Sequence, residues 1–153
     1  MKYFISVIGV VLCVWLLCLV SSGDTVVQLV HMGDLFTLLV ILLVVITILA
    51  ATGLHKDFIH AFQLALSKKA HASMAQLKRA KEAVDLTLRS IIGSGVMITS
   101  ISIVQSLFLA ESSALPANLG VSTLGIVYAS CLYLLLLPIR AKLEVKIMEY
   151  MEE

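Results

Sequence analysis

The groups best placed to do chemistry in the apolar stretches of this 153-residue chain are hydroxyls and amides. Gly95, Thr99, Ser102 and Ser106 recur at intervals of four, three and four, which puts them on one face of a helix, with Gln105 beside it. Ser122, Gly125, Ala129 and Tyr133 form a second stripe of small residues ending in an aromatic ring, with Thr123 and Ser130 adjacent. Such stripes serve two purposes in a membrane: close helix packing with hydrogen bonds across the interface, or the wall of a hydrated pore. Spacing leaves both open. An ion relay would also need a carboxylate at membrane depth, and the nearest ones are Asp34 and Glu111, at the outer edges of the apolar stretches. His31 stands apart from His55, His60 and His71, and the five-residue step from His55 to His60 is off the same-face spacing of a helical metal pair. Cys13, Cys18 and Cys131 all lie in apolar stretches and read as small packing residues. Neither an enzyme nor a metal or other cofactor is expected.

The elements that position these groups follow from composition. Hydrophobic residues make up 60% of the chain and charged residues 14%, and mean hydropathy is strongly positive, so lipid is the solvent. Spanning a hydrocarbon core of about 30 Å takes roughly 17 to 25 apolar residues in a helix. Four stretches free of ionised side chains have that length: Tyr3 to Val20, Leu35 to Ala51, Ile91 to Ala110 and Leu119 to Leu137. Backbone groups must be paired in hydrocarbon, and barrel strands are far shorter, so the expected fold is all-α. The chain reads as one polytopic membrane domain, 1–153, with helices over 3–22, 33–53, 91–110 and 119–138. The first could imitate a cleaved signal peptide, but its apolar run is longer than the usual 7 to 15 residues, so a retained helix is expected.

Positive charge sets the orientation. Seven of the eleven Lys and Arg residues lie between positions 54 and 90: Lys56, Lys68, Lys69, Lys78, Arg79, Lys81 and Arg89. Lys2 precedes the first span, Arg140, Lys142 and Lys146 follow the fourth, and Ser21 to Asp34 and Glu111 to Asn118 have none. The expectation is both termini in the cytoplasm, with a cytoplasmic tail over 139–153. The 54–90 segment has apolar residues near helical spacing and should extend span two, break near Ser67 to Ser73, and lead into span three. Its cations could contact anionic headgroups at about 1 kcal/mol each or grip a protein partner. A net charge of +1 gives no sign of nucleic-acid binding.

The second half of the chain carries a resemblance. Thr99, Leu107, Pro116, Leu119, Gly120, Val121, Tyr128 and above all the exit "LPIRAKLE", Leu137 to Glu144, resemble the MotA branch of the MotA/TolQ/ExbB proton-channel family, over about 50 residues. The resemblance implies a bacterial inner-membrane protein in a homopentameric ring. The ring would surround a single-span MotB/ExbD/TolR-like partner whose membrane aspartate carries H⁺ or Na⁺, coupling ion flow to rotation or force. It would place Thr99 on the ion path, with Ser102, Ser106, Ser122 and Thr123 as pore-lining residues. Gly95, Gly125, Ala129, Tyr128 and Pro138 would serve partner and helix packing, and Lys78, Arg79, Lys81 and Glu82 are the one cluster able to imitate a rotor contact. Three departures stand out. The family's Thr pair in the fourth helix falls on Gly125 and Ile126, the large cytoplasmic domain is reduced to 54–90, and the proline at the inner start of the third helix is missing from "LRSIIGSG". Pro138 remains and should bend or end the fourth helix. A non-conducting scaffold ring of the same family and an unrelated accessory subunit are the alternatives.

Overall fold

The structure, a computed structural model, describes residues 35–66, 73–109 and 115–152. The expected span over 3–22, and nearly all of the turn expected at Ser67 to Ser73, lie outside the described residues. Among those described, the fold is almost entirely helical: α1 (Leu35–Thr52), α2 (His55–Leu66), α3 (Met74–Leu109), α4 (Leu115–Ser122) and α5 (Leu124–Glu152). Met74–Phe108 and Asn118–Met151 are each long and apolar enough to cross a membrane, and the bent pair α1 and α2 makes a third span if counted as one.

α1 has almost no polar side chain to satisfy. Thr47 and Thr52 donate their hydroxyl protons back to the carbonyls of Leu43 and Ile48, at 2.8 and 2.9 Å, which hides both groups from hydrocarbon. The helix ends at Gly53, whose φ of +71° is the left-handed conformation that glycine adopts without steric cost. The Gly53 N–H donates to the Ala50 carbonyl and the Leu54 N–H to that of Leu49, both at 3.1 Å, a double closure of the Schellman kind. The chain turns by 104° there. The basic segment therefore does not extend span two as expected; Gly53, just before the segment that lacks Gly and Pro, starts α2 in a new direction.

α3 begins with a reciprocal cap. The Ser73 hydroxyl accepts from the Gln76 N–H at 3.3 Å, and the Gln76 side chain accepts from the Ser73 N–H at 3.1 Å. From there 36 residues run without a break, about 54 Å at 1.5 Å per residue. That is well beyond the hydrocarbon thickness, so the N-terminal part of α3, which holds its charges, projects beyond the apolar zone. Gly53 apart, the helices need no unusual backbone: there is no positive φ at any other described residue.

α5 lies against α3 along most of its length, and it too is continuous past the expected stop. Pro138 sits inside the helix and neither ends it nor opens a break. The reason lies in the residues beyond it: Ile139, Leu143 and Ile147 are buried with Ala61 and Ala65 of α2 and Leu77, Ala80, Val84 and Leu88 of α3. Burying three branched side chains is worth several kcal/mol in total, at about 1.5 to 3 each, which offsets the roughly 3 kcal/mol a helical proline costs. A second core, at membrane depth, joins Ile41, Val45 and Leu49 of α1 to Ile91 of α3 and Ala129 of α5.

Candidate functional site

The helix hairpin of α3 and α5 is closest where the two small-residue stripes meet. A methyl group on Gly95 would collide with the Ala129 side chain and stand 2.9 Å from the Gly125 carbonyl oxygen. One on Gly125 would stand 2.7 Å from the Thr99 hydroxyl and 3.1 Å from the Gly95 carbonyl. Gly95, Gly125 and Ala129 thus form one backbone-to-backbone crossing, the arrangement that small residues permit in lipid.

Thr99 stands at the edge of that crossing and is only 4% exposed. Its hydroxyl oxygen accepts a hydrogen bond of 3.1 Å from the Ile126 N–H. The need for this bond comes from the break between α4 and α5. At Thr123 the ladder tightens, and the Ile126 N–H turns to the Thr123 carbonyl at 3.2 Å rather than to the residue four back. Thr99 supplies this amide with a second acceptor where the turn tightens. Thr123 itself is exposed and donates to the Gly120 carbonyl at 2.7 Å, outside the crossing.

Beyond Thr99, away from the charged ends of the helices, the seam opens into a cavity of about 230 Å³. Thr37, Ser102, Gln105, Ser106, Asn118 and Ser122 supply its polar wall. Ser106 of α3 and Ser122 of α4 bridge their helices with hydroxyls 3.0 Å apart, and each hydroxyl also has a backbone carbonyl, of Ser102 and Asn118, at 2.8 Å. Among its described residues the wall has many lone pairs and no charge. Such a site can orient water or lend oxygen atoms to a passing cation. Thr37 and Asn118 carry no signal in the sequence; one lies just inside span two and the other in an expected loop, and only the fold brings them to the stripe. Tyr128 and Pro138 are half-buried and outside this wall, Tyr128 packing on the core of α1, α3 and α5.

The charged ends form a separate structure. Arg79 pairs with Asp57 of α2 at 3.6 Å, Lys81 with Glu144 of α5 at 2.8 Å, and Arg140 with Asp85 at 2.6 Å, the last a charge contact without hydrogen-bond alignment. Lys146 reaches across to the Leu64 carbonyl of α2. The Lys81 hydrogen bond, then its charge, holds the Glu144 carboxyl below its ordinary value of 4.5. Of the cluster considered for a rotor contact, Arg79 and Lys81 are thus engaged within the chain, while Lys78 and Glu82 point outward and are exposed. Among the described residues no group of three or more His, Cys, Asp or Glu side chains could hold a metal ion.

These features define a helical membrane protein with a polar helix seam and a charged helical bundle at one end. Comparison with known protein families, characterised proteins and solved structures gives no match.

Proposed function

We propose that the chain is a channel or stator subunit of an ion-driven motor complex in a bacterial cytoplasmic membrane, working with a single-span partner that brings a membrane aspartate. Both termini would face the cytoplasm, and five copies would surround the partner. The observation that carries this reading is the cavity of Ser102, Gln105, Ser106, Asn118, Ser122 and Thr37, which offers oxygen ligands and, among its described residues, no ionised side chain. In this reading the ion-facing hydroxyls are those of Ser102, Ser106 and Ser122. Thr99 acts as a positioning residue, because its oxygen is engaged by the Ile126 amide.

A second reading, a ring-forming scaffold that conducts nothing, draws on the same bond: the hydroxyl expected on the ion path is spent on helix packing. One experiment separates them. The full chain is coexpressed with an aspartate-bearing single-span membrane protein, reconstituted into vesicles with an internal pH dye, and subjected to a proton gradient. The stator reading expects flux that needs both proteins and falls at least about tenfold, the loss for about 1.4 kcal/mol of barrier, in a Ser102→Val, Ser106→Val double variant. Flux indistinguishable from empty vesicles, from a particle that native mass measurement shows to be pentameric, selects the scaffold. A monomer in nanodiscs would sink both.

A further inference from the structure

The 104° elbow between α1 and α2 encloses a cleft of about 600 Å³ whose wall is almost wholly carbon. Leu42 and Ile46 of α1, Phe58 and Ile59 of α2, and Leu132 and Leu136 of α5 line it. Among its described residues the one hydroxyl, on Thr87, is committed to the Ala83 carbonyl at 2.8 Å, so apart from His55 the wall offers no free polar side chain. The mouth is different. His55 lines the cleft at the first residue of α2, and Lys56 follows it in the chain.

We propose that this elbow holds one acyl chain of an anionic membrane phospholipid, with the headgroup at His55 and Lys56. Three observations converge. The volume falls within the range of roughly 300 to 1,000 Å³ typical of small-ligand clefts. The cleft is continuous with the apolar outer surface, since Ile46 is 64% and Ile59 61% exposed and both line it. It also lies where α1 ends and the charged bundle begins, and the exposed Lys56, next in the chain to the lining His55, supplies a positive charge that complements an anionic lipid. The inference rests on the membrane reading and is independent of ion conduction.

The test uses the full chain in nanodiscs of phosphatidylethanolamine and phosphatidylglycerol, with a diazirine near the end of one acyl chain of either lipid. After irradiation, adducts are mapped by peptide mass. The expected result is adducts concentrated on 42–59 and 132–136, stronger with labelled phosphatidylglycerol. They should fall roughly tenfold, the effect of displacing about two methylenes, in Ala50→Phe and in Ile59→Trp. Ala50 lines the cleft, and Ile59 is a surface-open wall residue where a larger ring disturbs no core. A His55→Gln, Lys56→Gln variant should remove the preference for phosphatidylglycerol while leaving the adduct positions unchanged. Adducts spread evenly over the outer face of α3, at Val96, Val104 and Phe108, would overturn the proposal. So would absence of adducts in the cleft, the outcome if residues 3–22 of the chain or a neighbouring copy filled it.

Discussion

Replacing Thr99 with valine removes one oxygen and changes the shape hardly at all, which makes it a clean probe of the α4–α5 break. The Ile126 N–H keeps only the Thr123 carbonyl, at 3.2 Å and in a tightened turn, so a part-buried donor loses one of its two acceptors. A lost partner of this kind costs about 1 to 3 kcal/mol, while hydrogen bonds between membrane helices average only about 0.6. Because the bond here reaches a backbone group left unmet by a break, the expected cost is about 1 to 2 kcal/mol. Should the loss open the break locally, the Ile126 amide will exchange with solvent deuterium about 5 to 30 times faster. Thr99→Ser keeps the oxygen and should restore most of the protection. The assay is exchange mass spectrometry of the peptide around Val121 to Tyr128 in nanodiscs, alongside reversible unfolding in mixed detergent. Wild-type exchange in Thr99→Val, or equal damage from serine and valine, would refute the role assigned to the hydroxyl.

Gly95→Val should push the hairpin apart, because its side chain meets Ala129 and the Gly125 backbone at once; a loss of at least about 1 to 3 kcal/mol, the usual range for overpacking, is expected in the same unfolding assay. Leu143→Ala, at a fully buried position of the charged bundle, should cost about 2 to 5 kcal/mol and loosen α2 as seen by limited proteolysis. Gly53→Ala forces a side chain into positive φ and should cost about 1 to 2 kcal/mol, while Thr52→Ala beside it costs less than half as much. The Glu144 carboxyl is held low by Lys81, so its contribution is present above pH 4.5, the ordinary value, and is lost as pH falls further through its value in the folded chain. Acid unfolding of Glu144→Gln should therefore lack that part of the pH dependence, and an unchanged acid limb would reject the pairing.

Much of the helical architecture is legible in the sequence because lipid imposes a single rule: apolar stretches long enough to cross must be helices. The α3 and α5 spans follow from that count, and the stripes of Gly95 and Gly125 give the faces that meet. The positions of their ends do not follow. Gly53 closes the second span at the expected bound, but the apolar run and the basic run on either side both suit a helix, and only its positive φ reveals the turn. Pro138 looks like a stop, since a local rule knows nothing of Ile139, Leu143 and Ile147 packing beyond it. The ion pairs are the clearest case. Lys81 and Glu144 are 63 residues apart, and which charge faces which depends on the register of two antiparallel helices. Charge content shows that a bundle can sit in water; register decides which charges remain outside. The polar cavity is half legible, because the stripe names Ser102 and Ser106 but not the helix that faces them with Thr37.

The uninterrupted α3 has a mechanical consequence. A helix of this length, clamped to α5 by two ion pairs at one end and by the glycine crossing further along, behaves as a stiff strut. No break in the helix separates its charged end from the polar cavity. Beyond the Gly53 corner, α2 is held to the same strut through Ala61, Ala65 and the Asp57–Arg79 pair, so the charged bundle is one packed unit. Whatever acts on this protein from the charged side thus meets three helices packed together, one of which runs unbroken to the cavity.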